Sequence, residues 1–230
     1  MRVEILASAE DVASRAASVI ANAARETIAE RGVFLLAVSG GKTPWMMLAT
    51  LSRQELPWDQ VHIFQVDERV APDGDPDRNL THLKSSLSLA PIPASQIHSM
   101  PVEVRDLKTA ADQYASVLHA IAGSPPVLDL VHLGMGADGH TASLIPGDPV
   151  LKVDNKDVAG TGNYQGRQRL TLTYPVLNRA RRILWVVTGG EKAPMFPRLV
   201  DGDASIPAGR INREYASVLA DQAAAGTTQL

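Results

Sequence analysis

The chain of 230 residues contains no cysteine. Disulfides, thiolate metal sites and a thiol nucleophile are therefore excluded, and a reducing cytoplasm is the compatible setting. Aromatic residues make up only 4 % against a hydrophobic fraction of 45 %. The core must be built mainly from Val, Leu, Ile and Ala, which suits a sheet covered by helices. No stretch approaches the ~20 apolar residues of a membrane span. The opening Met1-Arg2-Val3-Glu4-Ile5-Leu6 brings charge too early for a signal peptide. There is no run of Lys and Arg, and the formal net charge is −3. Without a basic face a nucleic-acid partner is not expected. An anionic ligand must be held by a few placed groups. One α/β domain over residues 1–230 is the expectation at this length.

What is present reads as strands alternating with helices. Residues 9–31 carry apolar positions at Val12, Ala16, Val19, Ile20 and Ala23, a helical period. Ser8 with Asp11 resembles an N-terminal capping box, and Gly32 reads as the stop. The short apolar run Val33–Val38 predicts a fully buried strand. Further strands are expected at Val61–Val66, Leu128–Leu133 and Ile183–Val187, and Pro44 suits the first position of a helix Trp45–Arg53. Arg169-Leu170-Thr171-Leu172-Thr173 alternates with period two, as a half-exposed strand would. This succession predicts βαβ units and a mainly parallel sheet, with ligands bound beyond the carboxyl ends of its strands.

Three constellations fall at those ends. Ser39-Gly40-Gly41-Lys42-Thr43 lies between a buried strand and a helix. Its glycines can bring backbone N–H groups to an anion at a helix N-terminus. It is not a Walker A motif, because the first glycine of that pattern would fall at Leu36. It is a near miss to the nucleophile elbow, with Ala37 where the first glycine belongs. Phosphate cradle, plain tight turn and Ser39 nucleophile all remain open here. Asp67-Glu68-Arg69 follows the second strand and, taken alone, reads equally as a solvated loop. Gly134-Met135-Gly136-Ala137-Asp138-Gly139-His140 formally contains a dinucleotide fingerprint, but Pro146, Gly147 and Pro149 interrupt the long helix that fingerprint should open. Of six histidines, only His140 stands in a glycine-rich strand-end loop beside a carboxylate, Asp138. His62 and His132 lie within strands. His82, His98 and His119 have no partner at metal spacing, so no metal and no cofactor is expected.

Taken together, these motifs resemble the 6-phosphogluconolactonase family. The resemblance rests on Gly134–Leu144 with Pro146-Gly147, on Val38–Pro44, and on Asp67-Glu68-Arg69 with Asn79 downstream. Arg169–Thr173 and Gly189-Gly190-Glu191-Lys192 complete the order. It implies a modified doubly wound, Rossmann-like sheet with helices on both faces, similar to glucosamine-6-phosphate deaminase and ribose-5-phosphate isomerase. It implies hydrolysis of 6-phospho-D-glucono-1,5-lactone in the oxidative pentose phosphate pathway. The related deaminases carry a catalytic glutamate five residues after the histidine, where this chain has Ile145, which cannot transfer a proton.

On this resemblance His140 is the expected general base on water, oriented by Asp67 or Asp138, with Asp67 favoured as the direct partner. Arg69 is expected at the carbonyl oxygen or the phosphate. Arg169 and Lys192 are implied to grip the phosphate with Ser39, Gly40, Gly41, Lys42 and Thr43. The expected partner is a small sugar-phosphate lactone, met in the cytoplasm by a monomer or weak homodimer.

Overall fold

The structure, a computed structural model, describes residues 1–226, so the last four residues of the expected domain lie outside it. Strand β1 (Arg2–Leu6) leads into helix α1 (Ala9–Arg31). The helix begins where the Ser8 Oγ accepts the Asp11 N–H at 3.1 Å and ends at Gly32, whose φ of 76° is the left-handed conformation of a glycine C-cap. Beyond it come β2 (Phe34–Val38), α2 (Lys42–Leu51), β3 (Val61–Gln65), β4 (Asp67–Arg69) and α3 (Asn79–Ser86). The middle of the chain supplies β5 (Ile97–His98), α4 (Leu107–Ala122), β6 (Leu130–Leu133), β7 (Val158–Gly160) and β8 (Arg169–Leu172). The last part gives α5 (Tyr174–Asn178), β9 (Ile183–Val187), α6 (Phe196–Asp201) and β10 (Ala216–Asp221).

Seven strands form one sheet in the order β1-β10-β9-β6-β2-β3-β5, and every pair in it is parallel. Alternate residues of its strands point to opposite faces, and each face has its own core. Leu36, Ile63, Leu130, Val186 and Leu219 pack under α1, α2 and α3, against Val12, Ala16, Ile20, Met47, Leu48 and Leu83. Ala37, Phe64, Val131, Trp185 and Val218 pack on the other side, with Tyr114 and Leu118 of α4 and with the second sheet. Both faces being covered, the strands read as continuous apolar runs, as buried parallel strands do. The doubly wound architecture is therefore present.

Two expectations are corrected. The helix expected at Trp45–Arg53 begins three residues earlier, at Lys42. Pro44 is tolerated there because the N–H groups of a helix's first turn have no intrahelical partner to lose. Arg169–Leu172 is not half-exposed: all four residues are buried. It is the central strand of a separate three-stranded antiparallel sheet, order β4-β8-β7. Its alternation separates Leu170 and Leu172, which join the core, from Arg169 and Thr171, which meet polar partners.

Candidate active site

Chain order and sheet order diverge between β2 and β6. From β2 the chain builds outward through β3 to β5, then returns to β6 and builds the other way through β9 and β10. The loops after two adjacent strands that lead in opposite directions leave a crevice, the usual ligand position in such sheets. Here it is a cleft of about 580 Å³. Its walls are Ser39–Thr43 after β2, Asp67 and Arg69 of β4, and Gly134–Gly136 with His140 after β6. Lys192 after β9 and Arg169 from the second sheet complete them. Every residue expected in the site therefore borders this cleft except Asp138, which sits directly behind His140.

The loop after β6 closes on itself, Gly136 N–H donating to the His140 carbonyl at 2.8 Å and Gly139 N–H to that of Gly136 at 3.0 Å. Gly139 has φ +81°, and a Cβ at Gly136 would overlap the His140 ring and the Asp138 carboxylate. Both positions thus require glycine. The tight turn brings the Asp138 Oδ1 to 2.6 Å from His140 Nδ1, and the same oxygen accepts the His140 N–H at 3.1 Å. Burial pushes the Asp138 carboxyl up, but the bonds and charge of His140 outweigh it and hold the group below its ordinary value. Asp138 is therefore a carboxylate that receives Nδ1–H, leaving Nε2 as the imidazole's open nitrogen.

Asp67, expected as the direct partner of His140, makes its hydrogen bonds to other residues. Its Oδ2 accepts the Ser143 hydroxyl at 2.6 Å, and its carbonyl accepts Asn79 Nδ2 at 3.0 Å. Antiparallel pairing of β4 with β8 sets Asp67 opposite Thr171, where Ser143 reaches it. Glu68 is not in a solvated loop at all. It is fully buried, beside Arg78, which is only 1 % exposed, with Arg78 Nε at 3.3 Å. Its carboxylate also accepts the Asn79 and Leu80 N–H groups at the start of α3 and the Gln65 amide, each at 2.8 Å. A carboxylate at a helix N-terminus is favourably placed. This charge frames β4 and is absent from the cleft lining.

The Ser39–Thr43 segment is divided. Ser39 donates its N–H to His132 Nδ1 at 3.3 Å, so that group is not free for a ligand. The Ser39 hydroxyl is buried with no partner among the described residues. No described residue accepts the N–H groups of Gly40, Gly41, Lys42 or Thr43. A Cβ at Gly40 would collide with the Asn79 side chain, so the loop lies close against α3. The Thr43 hydroxyl shares a hydrogen bond of 2.7 Å with Thr188. The cleft also holds three basic side chains besides Lys42. Arg169 is buried, its Nε lacks a partner among the described residues, and burial lowers its pKa while Asp67 opposes that shift. Arg69 donates to the Asp77 carbonyl at 2.9 Å, and Lys192 lies 3.5 Å from Glu191.

Sequence reasoning gave no site role to Glu68, Arg78, His132, Ser143 or Tyr164. The tyrosine hydroxyl meets Asp138 Oδ2 at 3.2 Å. Only Glu68 carried a signal, as a charge in the Asp67-Glu68-Arg69 triplet just beyond a strand end. Among the described residues no group of three His, Cys, Asp or Glu could hold a metal ion, and no helix is long and apolar enough to cross a membrane.

Comparison with known proteins agrees with this layout. A 6-phosphogluconolactonase of Synechocystis is 37 % identical over 83 % of this chain and 81 % of its own length. The crystal structure of a 6-phosphogluconolactonase from Thermotoga maritima superposes with a TM-score of 0.85 at 24 % identity, covering 96 % of this chain and 98 % of that one. A monomeric glucosamine-6-phosphate deaminase shares the fold, with a TM-score of 0.82 at 20 % identity over 99 % of this chain and 100 % of that one. Residues 7–220 match the family described as glucosamine-6-phosphate isomerases/6-phosphogluconolactonase. By sequence, fold and cleft, this chain belongs to that family.

Proposed function

We propose that the chain hydrolyses 6-phospho-D-glucono-1,5-lactone to 6-phospho-D-gluconate, with His140 as general base. The observation that carries this reading is the 2.6 Å Asp138–His140 pair at the edge of a cleft bordered by Arg69, Arg169 and Lys192. A δ-lactone is an ester. Its hydrolysis needs an activated water, a stabilised oxyanion and a proton for the departing ring oxygen. With Nδ1 donating to Asp138, the His140 Nε2 takes the proton from water as the water oxygen bonds to the carbonyl carbon. Negative charge on the carbonyl oxygen is met by a guanidinium of the cleft, and we assign this role to Arg69. When the ring C–O bond breaks, the imidazolium returns the proton to the ring oxygen, giving an acid and an alcohol. Asp138 stabilises the imidazolium between these steps. Asp67, bonded to Ser143, is assigned to hold the cleft wall and to balance the charge of Arg169.

The phosphate is assigned to Arg169, Lys192, the Ser39 hydroxyl and the free N–H groups of Gly40–Thr43, with Lys42 at the rim. The unpartnered Arg169 Nε and Ser39 Oγ support this, since buried polar atoms are normally bonded. The Ser39 nucleophile is disfavoured because Ser39 Oγ makes no hydrogen bond to a base among the described residues, and His132 Nδ1 is taken by the Ser39 backbone N–H. Deaminase chemistry is disfavoured by Ile145, a buried side chain with no titratable group at the position where the related deaminases carry glutamate. We further take residues 1–230 as one domain, cytoplasmic, monomeric or weakly dimeric, with no nucleic-acid partner, in keeping with the charge and composition.

The test compares the 6-phosphorylated lactone with plain gluconolactone, following acid release above the spontaneous rate. Each charge-assisted hydrogen bond contributes about 1.5–3 kcal/mol, so kcat/KM should favour the phosphorylated lactone at least about a hundredfold. Equal rates on both substrates contradict the assignment.

A further inference from the structure

We propose that Tyr164 is a positioning residue that locks the Asp138–His140 pair and the Arg169 guanidinium to one another, an inference that rests on His140 being the base. Tyr164 stands on the hairpin between β7 and β8, closed by Tyr164 N–H to the Arg167 carbonyl at 2.9 Å. The two central residues, Gln165 and Gly166, have φ of 54° and 81°, the positive pair required by a two-residue hairpin turn. Arg167 fixes the outer side of the hairpin, donating to Asp77 Oδ2 at 2.9 Å, Asp75 Oδ2 at 3.3 Å and the Val70 carbonyl at 3.3 Å. The tyrosine is thus held from behind on a short, tied turn.

From there it makes three contacts. Its hydroxyl donates to Asp138 Oδ2 at 3.2 Å, the oxygen that His140 does not use. Its ring meets the His140 ring edge-on, with centroids 5.7 Å apart at 69°. The Arg169 guanidinium lies over the same ring, 5.0 Å from the centroid. A donor on Oδ2 stops the carboxylate from rotating, so Oδ1 stays on Nδ1 and Nε2 stays free for water. Burial, followed by the Asp138 charge, raises the Tyr164 pKa, which keeps the hydroxyl a donor. The other charged groups of the cleft are Arg169 of β8, Asp67 and Arg69 of β4, Lys42 of α2, Glu191 and Lys192 after β9, and Asp221 of β10. Tyr164 does not border the cleft itself, so it acts through its neighbours.

The test is steady-state kinetics on the phosphorylated lactone over about pH 5–8, for the wild type, Tyr164→Phe, Tyr164→Leu and His140→Asn. Phenylalanine keeps the ring and removes the donor. It should lower kcat about tenfold, the effect of one charge-assisted hydrogen bond, with KM almost unchanged. The acid limb of kcat/KM should move to higher pH, because a carboxylate with one donor fewer holds the imidazolium more tightly. Leucine should show the same kcat loss and also raise KM about threefold, since Arg169 loses the ring it rests on. A Tyr164→Phe enzyme with wild-type kcat and a superimposable pH profile overturns the inference while leaving the base intact. A His140→Asn enzyme with near-normal kcat overturns the reading beneath it, whatever the tyrosine variants do.

Discussion

At the scale of single residues, catalysis in this account depends on how closely the loop after β6 can fold. Gly136 has no side chain because the His140 ring and Asp138 occupy that space. Gly136→Ala must displace one of them. Turnover falls steeply when a base is misplaced by about 1 Å, so a kcat loss of about a hundredfold with a modest change in KM is expected from initial-rate measurements. Near-normal kcat in a folded Gly136→Ala protein would show that the turn is not what places the base. His140 and Asp138 were legible in the sequence because glycines and a carboxylate cluster about one histidine. The choice between Asp67 and Asp138 was not. It turns on Ser143, 76 residues from Asp67, which bonds Asp67 Oδ2 through a contact that spacing cannot reveal.

At the scale of elements, α1 was readable from its period and its two caps, and β2, β3, β6 and β9 from apolar runs. The strands that escaped notice are those without such runs. β5 has two residues, β4 and β7 have three each, β1 is a largely exposed edge, and β10 is interspersed with Ala, Ser and Asp. Burial of charge was equally hidden. Glu68 holds Arg78, the start of α3 and Gln65 together with no solvent access. Its removal leaves Arg78 with Glu103 and the Ala71 carbonyl, but takes the acceptor from the Asn79 and Leu80 N–H groups and the Gln65 amide. An unsatisfied buried group costs about 1–3 kcal/mol, so Glu68→Ala should lose about 2–4 kcal/mol by denaturant unfolding, and a loss below about 1 kcal/mol would contradict this role. The pair of strands β3 and β5 adds a pH dependence. His62 Nδ1 lies 2.9 Å from His98 Nε2 and the rings stack. Burial, then the His62 charge, pushes His98 down to about 4, and burial also lowers His62. The fold keeps His98 neutral well below its ordinary range, so below pH ~6.5 the unfolded chain binds more protons. Stability must then fall from that pH down to the folded value, where the slope from His98 ends. Between about pH 7 and 5 the wild type should lose about 1–2 kcal/mol more than His98→Asn, read from urea midpoints. Parallel pH dependences in the two proteins would refute this.

At the scale of the whole molecule, a doubly wound sheet, a second small sheet and one cleft at the switch point meet in a single site. The main sheet supplies the free N–H groups and the base loop. The second sheet supplies Arg169, Arg69 and Asp67, and this division accounts for the fully buried alternation of β8. In the proposed mechanism His140 takes the proton from water. This step is tested most directly by His140→Asn, which keeps size and some hydrogen bonding but cannot serve as the base. Acid release from the phosphorylated lactone is followed with spontaneous hydrolysis subtracted and with circular dichroism to confirm folding. Loss of the base should reduce kcat about 10²–10⁴-fold, leave KM little changed and remove the acid limb of the pH profile. A folded His140→Asn protein with near-normal kcat, or with its acid limb intact, would contradict this mechanism and move the base to a carboxylate, Asp67 first.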